Sequence, residues 1–186
     1  MPARDPYALP DGLPAPEDDG AADHLPGLEL PDLTLESSQG PVNLAWLARA
    51  RLVLYVYPRT GRPGRAELPG WDDIPGARGC TPQSCAFRDH AAELEAFGAR
   101  VAGFSAQSLD DQIEFAERNR MPFPIVSDAG LELARALRLP TFEVDGLTLY
   151  NRLALVAEQG LIVKVFYPVF PPDRNAAEVL AWMSSR

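Results

Sequence analysis

The residues best suited to covalent chemistry are two cysteines, Cys80 and Cys85, and the 186-residue chain has no others. Cys80 lies where a long Gly- and Pro-rich stretch meets an expected helix, which Thr81-Pro82 opens. Proline suits the first turn of a helix, because the N–H it lacks is one the helix leaves unbonded. Those unbonded N–H groups, with the partial positive charge of a helix start, favour a thiolate over a thiol. The thiolate is the nucleophilic and oxidisable form of cysteine, so position alone marks Cys80 as a candidate reactive thiol. A buried, inert cysteine is the competing reading of the same position.

The spacing of the pair sets a geometric condition. On an intact α-helix, five residues rise about 7.5 Å and turn through about 500°, which places the Cα atoms about 8.6 Å apart. A disulfide needs less than about 7 Å. The two cysteines therefore either never bond or bond only after the first turns unwind, which would be a switch by local unfolding. Cys80, Cys85 and His90 recur at intervals of five. Side chains so spaced diverge by about 140° around a helix, and no second Cys or His pair follows to complete a tetrahedral set. No metal site is expected. His24 falls in the N-terminal stretch and is a weak partner for a Cys–His dyad, and His90 reads as a solvated helix residue.

The elements that must position Cys80 follow from periodicity. Leu52 to Tyr57 is an unbroken β-branched, aliphatic and aromatic run, as expected of a central strand buried on both faces, and Pro58 stops it. Residues 60–79 form a loop of about 20 residues, a length that is uncommon inside a compact domain and often functional. Trp71 and Ile74 are the residues that could pin it to the body. The helix after Cys80 carries Phe87, Ala91, Leu94 and Phe97 at helical spacing and is expected to end at Gly98. Val101 to Ala106 is a second core strand. Ser108 and Asp111 cap a helix through Ile113, Phe115 and Ala116; Pro124 to Ser127 is a third strand, and Leu131 to Leu139 a short helix. Leu153 to Ala157 and Leu161 to Tyr167 read as a hairpin about Glu158-Gln159-Gly160, and Asn175 to Met183 as a closing helix. Upstream, Leu28 to Leu35 and a turn at Ser37 to Gly40 suggest a small hairpin, followed by a short helix over Val42 to Ala50. Strands alternating with helices, then a hairpin and a last helix, make an α/β chain: a thioredoxin-like three-layer sandwich with a central mixed sheet.

Composition narrows the function. With 46% hydrophobic and 23% charged residues the chain can bury a real core. Its net charge is −9, with a single lysine, Lys164, and dispersed arginines. Nucleic acid and anionic membrane surfaces are disfavoured as partners. No apolar run approaches the roughly 18–20 residues that span a bilayer. The first residues lack a secretory pattern, which points to the cytoplasm. Residues 1–25, rich in Pro, Asp, Ala and Gly, read as a disordered acidic arm. One domain is then expected over 26–186.

The segment Tyr57-Pro58-Arg59-Thr60-Gly61, followed by Gly79-Cys80-Thr81-Pro82-Gln83-Ser84-Cys85-Ala86-Phe87-Arg88-Asp89, resembles the active site of Q-type peroxiredoxins, the bacterioferritin-comigratory subgroup. The likeness runs from about Leu28 to the end of the chain and includes Phe123 to Asp128 and the pair Asn151-Arg152. It implies the peroxiredoxin variant of the thioredoxin fold, with Cys80 as peroxidatic cysteine and Cys85 as resolving cysteine. Arg152 matches the active-site arginine and Pro58 the proline that shields the site. The implied activity is reduction of hydrogen peroxide or organic hydroperoxides through a sulfenic acid and an intramolecular disulfide. Thioredoxin or a similar dithiol protein would recycle it, with no cofactor. Because resolution is intramolecular, a monomer is favoured.

Two departures from the family's pattern matter. The family places a threonine three residues before the peroxidatic cysteine, where this chain has Ala77, so the hydroxyl role is assigned to Thr60 and residues 60–79 contain an insertion of about 15 residues. Gln83 stands where related sequences often carry glutamate. Two rivals remain: a thiol–disulfide oxidoreductase, although the usual Cys-x-x-Cys is missing, and a non-catalytic or redox-switched thioredoxin-fold binding module.

Overall fold

The structure, a computed structural model, describes residues 5–186. A short ladder, β1 (Thr34–Leu35) with β2 (Val42–Asn43), leads into α1 (Leu44–Leu47). β3 (Arg51–Val56) follows, then the long loop, α2 (Cys80–Asp89), α3 (Ala91–Ala96), β4 (Ala99–Ser105) and α4 (Leu109–Asn119). After β5 (Ile125–Ser127) and α5 (Glu132–Leu137) come two hairpins and a helix. They are β6 (Thr141–Val144) with β7 (Leu147–Tyr150), β8 (Leu153–Glu158) with β9 (Leu161–Phe166), and α6 (Asn175–Ser184). The main sheet has the order β5-β4-β3-β8-β9, parallel across β5, β4 and β3 and antiparallel across β3, β8 and β9.

β3 lies at the centre of this mixed sheet, and its alternation builds both cores. Leu52, Leu54 and Val56 face one cluster, which Leu44, Leu133 and Leu137 from α1 and α5 complete. Val53, Tyr55 and Tyr57 face the other, with Phe87, Phe115 and Val179 from α2, α4 and α6. Both cysteines belong to the second cluster. Helices on both faces of one sheet give the expected three layers.

Several boundaries differ from the sequence reading. The helix of the cysteines stops at Asp89 rather than running to Gly98, because His90 caps it and α3 starts separately. Pro82 is its third residue, where its lack of an N–H is still harmless, since the first intrahelical bond runs from the Gln83 N–H to the Gly79 carbonyl. Leu28 to Leu30 does not form a hairpin with Leu33 to Leu35; Glu29 bridges to Leu161 at the sheet edge instead. The helix expected over Val42 to Ala50 is reduced to α1, because Val42 and Asn43 pair with β1. The β6–β7 hairpin was not expected.

The arm expected to be disordered is laid against the body over residues 5–25, while residues 1–4 lie outside the described residues. Leu25 and Ala22 enter the first core cluster, His24 bonds the Leu137 carbonyl at 2.8 Å, and Tyr167 donates to Asp19 at 2.9 Å. These few apolar side chains find pockets on a surface already built, which composition cannot reveal. Residues 60–79 are irregular apart from a 3₁₀ turn at Trp71–Asp73. Trp71 and Ile74 do pin the loop: they pack with Phe142, Val144 and Leu149 of β6–β7 in a third cluster.

Candidate active site

Cys80 is the first residue of α2, with Gly79 before it at φ 105°. That left-handed conformation needs glycine, and so does the space. A Cβ at Gly79 would lie 2.3 Å from Pro172 Cγ and 2.8 Å from Leu9 Cδ2. Cys80 is 3% exposed, and its sulfur lies 3.5 Å from the Ala77 carbonyl, to which its thiol form donates.

Arg152 enters from the start of β8. Its Nη2 lies 3.2 Å from Cys80 Sγ and donates to the carbonyls of Gly76, Ala77 and Arg78 at 3.2, 2.9 and 3.2 Å. Its Nη1 donates to Gln83 Oε1, one helical turn after Cys80. The guanidinium thus fixes the end of the loop and the start of the helix together. Arg152 is 4% exposed, and among the described residues no carboxylate touches it. A buried cation surrounded only by neutral acceptors is costly unless an anion joins it. Among the described residues the Cys80 sulfur is the one ionisable group in contact with it.

Cys85, 9% exposed, points elsewhere: its Sγ lies 3.8 Å from Asn119 Oδ1 at the end of α4. Burial pushes its thiol up from the ordinary range, and Arg88 and Arg118 only partly oppose this. Both cysteines are free and share the intact helix. Beneath them, Tyr55 stacks on Phe87 with centroids 4.4 Å apart. Burial raises the Tyr55 hydroxyl well above its usual range. The Tyr55 and Ser84 hydroxyls are neighbours, yet neither makes a well-formed hydrogen bond.

A cavity of about 820 Å³ opens over Cys80, walled by the loop and by Pro6 and Tyr7 of the arm. Thr60 and Cys80 line the same cavity. The Thr60 N–H and hydroxyl both donate to Gln107 Oε1, at 2.8 and 3.2 Å, and Gln107 Nε2 returns a bond to the Thr60 carbonyl at 3.1 Å. The Thr60 hydroxyl therefore bonds an amide and not the sulfur. Pro58 is buried just past the end of β3 and is not part of the cavity wall. The structure thus brings Cys80, Arg152 and Thr60 to one place, sets Pro58 behind it, and turns Cys85 away.

Gln107, Asn175 and Tyr7 went unnoticed in the sequence. Gln107 follows the carboxyl end of a parallel strand, where α/β sheets commonly place functional residues, and that position was its signal. Asn175 Oδ1 accepts from Gln83 Nε2 at 3.0 Å and so steadies the partner of Arg152. Among the described residues no group of three or more His, Cys, Asp and Glu could hold a metal.

The chain is similar to known proteins over most of its length. The Redoxin family matches residues 25–180. Peroxiredoxin Q of Sedum lineare chloroplasts is 31% identical over 157 residues, covering 83% of this chain and 75% of that protein. The Arabidopsis thaliana counterpart is 27% identical, covering 86% of this chain and 67% of its own length. Among solved structures, the peroxidoxin BcpB of Mycobacterium tuberculosis superposes with a TM-score of 0.70 at 26% identity, covering 87% of this chain and 98% of that one. Peroxiredoxin Q of Xanthomonas campestris does so with 0.68 at 27%, covering 86% and 96%.

Proposed function

This chain belongs to the Redoxin family, as a peroxiredoxin of the Q type and hence a thiol peroxidase, and from that premise we propose how its own residues divide the work. Cys80 is the peroxidatic residue. Its thiolate attacks the terminal oxygen of a hydroperoxide; the S–O bond forms as the O–O bond breaks, and the departing alkoxide or hydroxide takes a proton to leave as alcohol or water. Cys80 is left as sulfenic acid, oxidised by two electrons. Arg152 holds the thiolate before attack and stabilises the charge that develops on the departing oxygen. Thr60, anchored by Gln107, supplies a hydroxyl to the bound peroxide, and Pro58 backs that wall.

Cys85 is the resolving residue. Its sulfur attacks the sulfenic sulfur of Cys80; the S–S bond forms, and the hydroxyl of the sulfenic acid leaves with the Cys85 proton as water. Both cysteines lie on one intact helix, so the first turns of α2 must open for this step. A dithiol protein, thioredoxin by class, then reduces the disulfide and is itself oxidised. One chain holds both sulfurs, and a monomer suffices. The observation that carries the reading is the 3.2 Å contact between Arg152 Nη2 and Cys80 Sγ, with no carboxylate on the guanidinium among the described residues.

The test is the rate of Cys80 oxidation by hydrogen peroxide and by cumene hydroperoxide, in wild type and Cys85→Ser, with mass spectrometry of the products. Fast oxidation in both proteins is expected, ending as an intramolecular disulfide in wild type and as sulfenic acid in the variant. Oxidation by both peroxides no faster than that of free cysteine would overturn the assignment. Rapid reduction of insulin disulfides in its place would favour a thiol–disulfide oxidoreductase.

A further inference from the structure

The cavity over Cys80 is far larger than hydrogen peroxide requires. A water molecule's share of liquid volume is about 30 Å³, against about 820 Å³ here, a size suited to an organic ligand. Its wall has two characters. Tyr7, Pro63 and Trp71 provide apolar surface, while Arg59, Arg62, Arg65 and Arg78 provide positive charge, opposed among the described residues of the wall by Glu67 alone.

The four arginines are not equivalent. Arg62 pairs with Asp111 and Glu114, and Arg78 pairs with Asp72. The side chains of Arg59 and Arg65 make no hydrogen bond and no ion pair among the described residues, although the chain is acidic and the arm over the cavity carries several carboxylates. Two uncommitted guanidinium groups in the wall of an apolar cavity recognise an anion at a distance from the reacting sulfur. In a protein of net charge −9, they also give an anionic substrate a local attraction that the rest of the surface denies it.

We propose that the loop over residues 60–79, with Arg59 at its root, selects organic hydroperoxides that carry a carboxylate. The O–O group reaches Cys80, the apolar body lies against Tyr7 and Trp71, and the carboxylate is held by Arg59 and Arg65. This rests on the peroxidase assignment and adds the class of substrate to it. The electron balance is that given above, with a carboxylate-bearing alcohol as the departing product.

The probe is a pair that differs only in charge, cumene hydroperoxide and its para-carboxylate derivative, with hydrogen peroxide as reference. At about 20 mM salt, wild type is expected to oxidise Cys80 about 5- to 10-fold faster with the carboxylate, from two partly exposed charge pairs, and the ratio shrinks as salt rises. In the double variant Arg59→Gln, Arg65→Gln the ratio falls to about 1, while the hydrogen peroxide rate stays at the wild-type value. Equal rates for the two cumene compounds in wild type, or a preference that survives in the double variant, would overturn the inference and leave the peroxidase assignment standing. Failure of all three peroxides to oxidise Cys80 faster than free cysteine would overturn both.

Discussion

Ser84 offers the most direct test of whether α2 must open for the disulfide to form. It is fully buried between the two cysteines in sequence, and its hydroxyl lacks a hydrogen-bond partner. Ser84→Ala adds intrinsic helix preference of about 0.5 kcal/mol. Removing an unpaired buried hydroxyl contributes roughly 1 kcal/mol more, at the low end because the Tyr55 hydroxyl beside it stays unpaired. Together these stabilise the closed helix by about 1.5 kcal/mol, which is about tenfold in an opening equilibrium. Disulfide formation should then slow about tenfold, with the first oxidation of Cys80 unchanged. Ser84→Gly also loses the hydroxyl but lacks the helix preference of alanine by about 1 kcal/mol, so it should form the disulfide about fivefold faster than Ser84→Ala. The assay is rapid mixing with one equivalent of peroxide, acid quench at successive times, alkylation, and mass spectrometry to count sulfenic acid against disulfide. Equal rates of disulfide formation in all three proteins would refute the reasoning, because opening would then not limit the step.

Arg152→Gln removes the charge that faces Cys80 and should lower the rate of peroxide oxidation by about 10²–10³, the range for losing one preorganised donor at a reacting centre; Arg152→Lys should recover only part of it, since an ammonium cannot span Cys80, Gln83 and three carbonyls. Gly79→Ala should destabilise the reduced protein by at least about 2 kcal/mol, from strain at φ 105° and contact with Pro172, as read from urea unfolding midpoints. The raised thiol of Cys85 gives a pH effect with a definite sign. Opening α2 exposes a thiol that ionises at about 8.5, below its value in the closed helix, so the closed form is fully favoured below that pH and loses stability as pH rises toward the raised value. The disulfide-forming phase should accelerate above about pH 8.5, and the urea midpoint of reduced wild type should fall over the same range, a slope that Cys85→Ser should lack.

How much of this was legible differs from element to element. β3 was plain, because a strand buried on both faces must be apolar at every position, and Ser108 marked the start of α4 by the bond it accepts from the Asp111 N–H. The β6–β7 hairpin could have been read from Asp145-Gly146, whose φ of 50° and 74° suit a tight two-residue turn, but its short strands alternate weakly. The break at His90 had no signal, since Arg88, Asp89 and His90 continue a helix as readily as they end one. Within the site, the resemblance carried Cys80, Cys85 and Arg152 because they stand at fixed places in a motif. The contribution of the arm was illegible: Leu9 and Pro6 matter through the surface they touch, and no local pattern records that surface. The amide of Gln107 was likewise hidden, because its partner Thr60 lies 47 residues earlier.

The surroundings of α2 are mechanically uneven. Its underside rests on the Tyr55–Phe87 stack over the central strand, and its flank is held by Pro172 and by the Gln83–Asn175 bond. Above its first turn lie Leu9 of the irregular arm and a cavity whose wall Pro6 and Tyr7 share with the loop. The least obstructed path for such a turn is away from the sheet, into the cavity over Cys80. The motion that frees Cys80 to meet Cys85 thus also carries that sulfur from the floor of a cavity to a surface where a whole protein can reach it. One displacement would then serve both halves of the cycle, and the arm would be the first part of the molecule to register it.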